Sequence, residues 1–134
     1  MKSFKHATLA SALLFAFVGN APAQFNRLNY EPGSVSALID RVHSDLNRAY
    51  GAWQFSGGDR KRLNHAEKEL RDFSGKWNRG RFDKGELDDA ISSVQHVLDN
   101  NHLPPGERRA LSEDLDQLRG MREAYDRHEI GYRR

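Results

Sequence analysis

Five histidines follow residue 24, at positions 43, 65, 96, 102 and 128, and metal chemistry is the first reaction class they bring to mind. A zinc or copper site asks for two imidazoles at i, i+4 on one helix, or one imidazole beside a carboxylate with a third ligand converging. No HxxxH spacing occurs. His65 with Glu69, an i, i+4 couple, could offer one nitrogen and one oxygen. His96 and His102 could meet where one helix turns into the next. Neither set completes a ligand shell, so no metal and no other cofactor is assigned.

Catalytic patterns are thinner still. None of the serines sits in a GxSxG elbow. Ser92 and Ser93 fall in mid-helix, where a hydroxyl more often bonds back to its own backbone than attacks a substrate. Asp88-Asp89 and Glu113-Asp114 are sequence neighbours, so on a helix they diverge by about 100° and read as solvated faces. The chain contains no cysteine, which removes thiol nucleophiles, thiolate metal sites and disulfides. A non-enzymatic role is expected, with no catalytic residue.

Charge layout says more. Residues 24–84 carry 12 basic and 8 acidic residues, whereas residues 85–134 carry 7 and 11. The basic excess gathers at Arg60, Lys61 and Arg62 and at Lys76, Arg79 and Arg81, which together mark a candidate partner surface. The acidic excess gathers at Glu86, Asp88 and Asp89 and at Glu113, Asp114 and Asp116. Two readings follow: ion pairing between helices of one chain, or a two-sided surface for another protein or a second copy.

These side chains need elements to carry them, and the apolar spacing supplies four. Val35, Leu38, Ile39, Val42, Leu46, Ala49, Tyr50 and Trp53 form one helical stripe on a helix over about 35–51, with Ser34 as its N-cap. Leu63, Ala66, Leu70, Phe73 and Trp77 repeat at 3-4-3-4 over 57–78, behind a capping box of Ser56 and Asp59. Leu87, Ala90, Ile91, Val94, Val97 and Leu98 mark a third helix over 84–100, with Asp83 and Glu86 as its cap. Leu111, Leu115, Leu118, Met121 and Tyr125 mark a fourth over 105–127, with Pro105 in the first helical position. Trp53, Phe55, Phe73, Trp77, Phe82 and Tyr125 lie on or beside the stripes and are expected in the core. Phe25, Tyr30 and Tyr132 lie outside the helices, where a partner could use them. No run of alternating β-branched residues suggests a strand.

The chain reads as all-α, a four-helix bundle made of two similar antiparallel hairpins, about 35–78 and 83–127. A shift of 48 residues lays one hairpin on the other with seven identities: Asp40/Asp88, Ser44/Ser92, Gly58/Gly106, Arg60/Arg108, Leu63/Leu111, Leu70/Leu118 and Arg71/Arg119. Residues 34–128 are expected to form a single helical domain, after an extended lead-in at 24–33 and before a frayed tail at 129–134.

The first 23 residues are not part of that domain. Lys2 and Lys5 precede an apolar stretch from about Ala7 to Val18, and Ala21-Pro22-Ala23 closes it as a cleavage site. The stretch is too short for a mature membrane helix, which needs about 20 apolar residues. A secretory signal peptide cut after Ala23 is expected, placing the product in the periplasm or outside the cell. Over the whole chain Lys+Arg number 21 and Asp+Glu 19, so losing Lys2 and Lys5 leaves equal totals. Nucleic acid is therefore not an expected partner, because bulk positive charge is missing.

Leu103-Pro104-Pro105-Gly106-Glu107, and Phe55-Ser56-Gly57-Gly58-Asp59 in the first hairpin, stand where the exported, all-helical Spy/CpxP-like proteins carry two Leu-Thr-x-x-Gln motifs. In that motif Thr caps a helix and Gln at N3 closes the box. The chain resembles that bacterial family in its two copies, its leader and its helical make-up. Ser56 matches the capping Thr in kind, and neither copy has the Gln. The resemblance implies an antiparallel dimer that shields unfolded clients or senses envelope stress. The residues alone imply a non-catalytic module that binds another protein or itself, with a histidine-based metal-binding bundle as the further alternative.

Overall fold

A computed structural model describes residues 32–51 and 56–130. Four helices follow in order: α1 Pro32–Gly51, α2 Gly57–Asn78, α3 Lys84–Asn100 and α4 Pro105–Asp126. No strand occurs among the described residues. The chain is an all-α bundle in which α1 packs on α2, α2 on α3, α3 on α4, and α4 back on α1. The short turns between α2 and α3 and between α3 and α4 force antiparallel neighbours. The side chains agree, since Trp77 near the end of α2 donates from Nε1 to Ser36 Oγ near the start of α1, at 3.3 Å.

Most of each stripe is buried, but Tyr50, expected on the first stripe, is exposed, and Ile91, Trp77 and Tyr125 pack on the core only partly buried. Val35, Val42, Leu46, Leu63, Leu70, Phe73, Leu87, Val94, Val97, Leu111, Leu118 and Met121 are wholly enclosed. Burying each large side chain stabilises the fold by roughly 1.5–3 kcal/mol. At one end Phe82 gathers three aromatic rings, stacked on Tyr125 at 4.4 Å and edge-on to Phe73 at 5.3 Å and to Trp77 at 6.1 Å. Trp53, Phe55, Phe25, Tyr30 and Tyr132 lie outside the described residues, as do the leader and most of the lead-in.

The caps are those that local chemistry predicts. Ser56 Oγ accepts from the Asp59 backbone N–H at 3.2 Å, and the Asp59 carboxylate answers the Ser56 backbone. Asp83 Oδ1 accepts from the Glu86 N–H at 3.2 Å. Pro104 and Pro105 open α4 with no side-chain cap. Ser34, expected as the N-cap of α1, lies two residues inside the helix. The helix already begins at Pro32, because a proline fixes a helical φ at a position that needs no N–H donor.

The 48-residue register holds in three dimensions. Both ends of α2 map onto both ends of α4. The two helices also stop in the same way. Gly80 N–H bonds to Trp77 O and Arg81 N–H to Lys76 O, at 2.8 and 3.0 Å. Forty-eight residues on, His128 N–H bonds to Tyr125 O and Glu129 N–H to Ala124 O, both at 2.9 Å. This is the Schellman arrangement twice, with left-handed φ at Gly80 (82°) and at His128 (64°). The residues two further on, Phe82 and Ile130, are both buried. Ile130, at 4% exposed, thus anchors the start of the segment expected to fray at 129, and residues 131–134 lie outside the described part.

Candidate functional site

The end of the bundle where α2 and α4 begin is built around Asn101, which is 3% exposed. Its Oδ1 accepts from Arg62 Nε at 2.5 Å and its Nδ2 donates to Asp59 O at 3.2 Å. Arg108 clasps the same turn, donating to Leu98 O at 2.7 Å and to Asn101 O at 3.0 Å. Arg62 also pairs with Asp59. Burial acts to raise the pKa of Asp59, but the Arg62 and Ser56 bonds outweigh it and hold the carboxyl below its usual range. Arg62, expected on a partner-facing surface, instead joins Arg108 in tying α2, α3 and α4 together.

What remains outside are three cations at the end where α2 and α4 begin, on two helices that do not pack on each other. Arg60 and Lys61 on α2 and Arg109 on α4 are exposed and make no ion pair among the described residues. They are related by the repeat, since Arg60-Lys61 and Arg108-Arg109 hold the same places in α2 and α4. α2 and α4 begin at this end while the antiparallel α3 ends there, so the helix dipoles offset one another and the excess charge is that of the side chains.

The other three candidate residues sit at the far end of α2. Lys76 bonds to Asp83 Oδ2 at 2.9 Å and to Glu86. Arg81 reaches Asp83 at 3.4 Å, and Arg79 is exposed. The Lys76 ammonium and the Glu86 backbone N–H keep the Asp83 carboxyl below the usual range. The fold thus separates Arg60, Lys61 and Arg62 from Lys76, Arg79 and Arg81 along α2, by about 21 Å or more at 1.5 Å per residue. They do not form one surface. Arg122 with Asp88 and Lys84 with Asp126, at 2.6 and 3.5 Å, pair in the same intramolecular way.

The histidines divide as well. His65 Nδ1 lies 3.5 Å from Glu69 Oε1, and Glu69, Glu86 and Asp89 bring one oxygen each within 4.8 Å of one another on the α2–α3 seam. Oxygen ligands in that number suit a hard divalent cation. Lys68 and Lys76, bonded to Glu69 and Glu86, already neutralise two of the three. His96 turns to the Asn100 side chain at 3.0 Å rather than to His102. His43 Nδ1 meets Glu67 Oε2 at 2.6 Å across the α1–α2 seam.

Asp114 overturns the expectation that Glu113-Asp114 forms a solvated face. Asp114 is 1% exposed and sits between α4 and α1, bonded through Oδ1 to Arg41 Nε at 2.8 Å. Asp45 of α1, 6% exposed, lies beside it. Burial, with Asp45 adding to it against the pull of Arg41, pushes the Asp114 carboxyl up to about 6. The signal was available: Leu63, Ala66 and Leu70 shifted by 48 become Leu111, Asp114 and Leu118, so position 114 lies on the stripe.

Between α3 and α4 runs an open groove of about 280 Å³ lined by Leu98, Leu115 and polar side chains, with Arg119 bonded to Gln95 across it at 2.7 Å. Tyr50, 45% exposed, is the exposed large hydrophobic among the described residues. None of the described helices is long and apolar enough to cross a membrane. No family model, curated protein or solved structure matches this chain, so its own geometry carries the functional reading.

Proposed function

We propose that the chain is an exported, non-catalytic binding module that engages an acidic surface on a partner protein through the end of the bundle where α2 and α4 begin. One observation carries this reading. Arg60, Lys61 and Arg109 stand exposed at repeat-related positions, while Arg62, Lys76, Arg108 and Arg122 are engaged inside the molecule. Unneutralised cations of this kind steer and orient a complementary partner more than they add raw affinity. Export follows from the leader, with removal of residues 1–23, and the periplasm or the extracellular space is the compartment.

A client-shielding role of the Spy/CpxP-like kind would need apolar surface, and the stripes of the described helices face inward. A charged contact is the better-supported mode. Fluorescence anisotropy of a labelled poly-glutamate peptide tests it. The protein is expected to bind at 50 mM salt and to bind clearly more weakly at 300 mM. The Arg60→Glu, Lys61→Glu, Arg109→Glu variant should lose binding with an unchanged melting midpoint. Equal binding by variant and parent, or none by the parent at low salt, would sink the proposal.

A further inference from the structure

The α1–α4 seam closes the ring of helices between elements that no single turn connects, and two carboxyl groups lie at its centre. Arg41 Nε donates to Asp114 Oδ1, whereas Asp114 Oδ2 is buried without a partner. Asp45 is close enough to hydrogen-bond Asp114 when one of the two carries a proton. Arg48 engages Asp45 from the outer side.

Packing does not call for acids here. In the 48-residue register Asp45 and Asp114 correspond to Ser93 of α3 and Ala66 of α2, both buried, on two helices that pack on each other. The sister seam therefore closes over a hydroxyl and a methyl at the places where this one holds two carboxyls. Two carboxylates in one water-poor place repel each other and lose hydration, so the pair favours keeping one proton. An orphaned oxygen is the acceptor such a proton would serve.

We propose that Asp45 and Asp114 form a proton-binding site that makes closure of α1 on α4 depend on pH: a proton shared by the two carboxyls holds the seam shut, and its loss loosens α1.

The charges around the pair set the direction. On α1, Arg41 and Arg48 flank it, with side chains 46% and 61% exposed, so water screens their pull. On α4 the nearest polar neighbour is uncharged Gln117, which accepts from Arg41 Nη2 at 2.7 Å. On α2, Glu67 is held by His43 of α1, and the buried Ser93 of α3 carries no charge. Asp114 binds its proton more tightly in the folded chain than its ordinary value of 3.8, so its protonation favours the folded seam. That support is fully present below pH 3.8 and is lost as pH rises through about 6.

Hydrogen exchange on the full chain tests the site. After correction for intrinsic rates, α1 amides should lose at least tenfold in protection between pH 5 and pH 7.5, and α2 and α3 should lose less. The Asp45→Ser, Asp114→Ala variant, which copies the sister seam, should show no such difference in α1, and His43→Gln should behave as the parent does. An α1 whose protection is flat with pH, or whose pH dependence survives in the double variant or vanishes in His43→Gln, would overturn the proposal. The carboxyl carbon resonance of Asp114 in the unmodified chain settles the case if the double variant does not fold. A titration midpoint near pH 6 supports the site, and one near pH 4 rejects it.

Discussion

At the scale of single residues, the side chains that matter most are polar ones in buried places. Asn101 receives Arg62, holds the first turn of α2 through Asp59 O and leaves its own carbonyl to Arg108. An Asn101→Ala variant leaves that carbonyl in place but strands Arg62 Nε and Asp59 O, at an expected cost of about 1–3 kcal/mol in urea unfolding. An unchanged midpoint would show that water replaces both bonds. Asn101 reads in the sequence as a helix breaker, and so it is, but its side-chain role is invisible there, because Arg62 and Asp59 are some 40 residues away. Asp114 is different. Its place on the apolar stripe of α4 is legible, yet its partner Asp45 belongs to another helix, and only the closure of α1 on α4 brings the two together. A stripe says which face is buried; it does not say which buried groups meet.

At the scale of elements, most of the fold is readable because the signals are local. Ser56, Asp83 and Pro105 mark helix starts by hydrogen-bonding chemistry within one turn, and α2, α3 and α4 begin where they require. The start of α1 is less legible, since Pro32 and Ser34 both suit a helix start and the proline prevails. The paired helix ends give a sharper prediction. Gly80 and His128 adopt the same left-handed conformation, which costs a side-chain-bearing residue about 1 kcal/mol and glycine almost nothing. His128→Gly should therefore raise stability by about 0.5–1 kcal/mol, and Gly80→Ala should lower it by a similar amount, both read from denaturant midpoints. A Cβ on Gly80 would meet no atom within 4 Å, so any loss there comes from the backbone alone. The same sign of change in both variants would contradict the shared turn. In the core, Phe73→Ala removes an enclosed ring that packs edge-on against Phe82, and about 3–5 kcal/mol should go with it.

At the scale of the whole molecule, two opposed titrations shape stability. Lys76 and the Glu86 N–H hold Asp83 below its usual range, and Lys68 does the same for Asp72. Carboxyls of that kind lend stability above their ordinary value near 4 and lose it as pH falls further. Asp114 works the other way, its contribution fading as pH rises through about 6. The melting midpoint should then peak between about pH 4 and pH 6, and a midpoint still rising from pH 6 to pH 8 would contradict this balance. Composition alone suggests two-sided charge, but most of it is consumed between helices. Of the six basic residues marked from the sequence, Arg60 and Lys61 at one end and Arg79 at the other are exposed without an ion pair among the described residues, and Arg109 joins Arg60 and Lys61 at their end. Arg109 escapes a reading by local charge runs because its neighbourhood is acidic, and only the 48-residue register sets it beside Lys61 in role.

The most direct test of the binding role is native mass spectrometry of the gene product, expressed with its own leader and recovered from the periplasm at low ionic strength. A chain of residues 24–134 carrying a second protein component is expected, with loss of that component when Arg60, Lys61 and Arg109 are reversed in charge. A full-length species, or a bare chain for parent and variant alike, would contradict it.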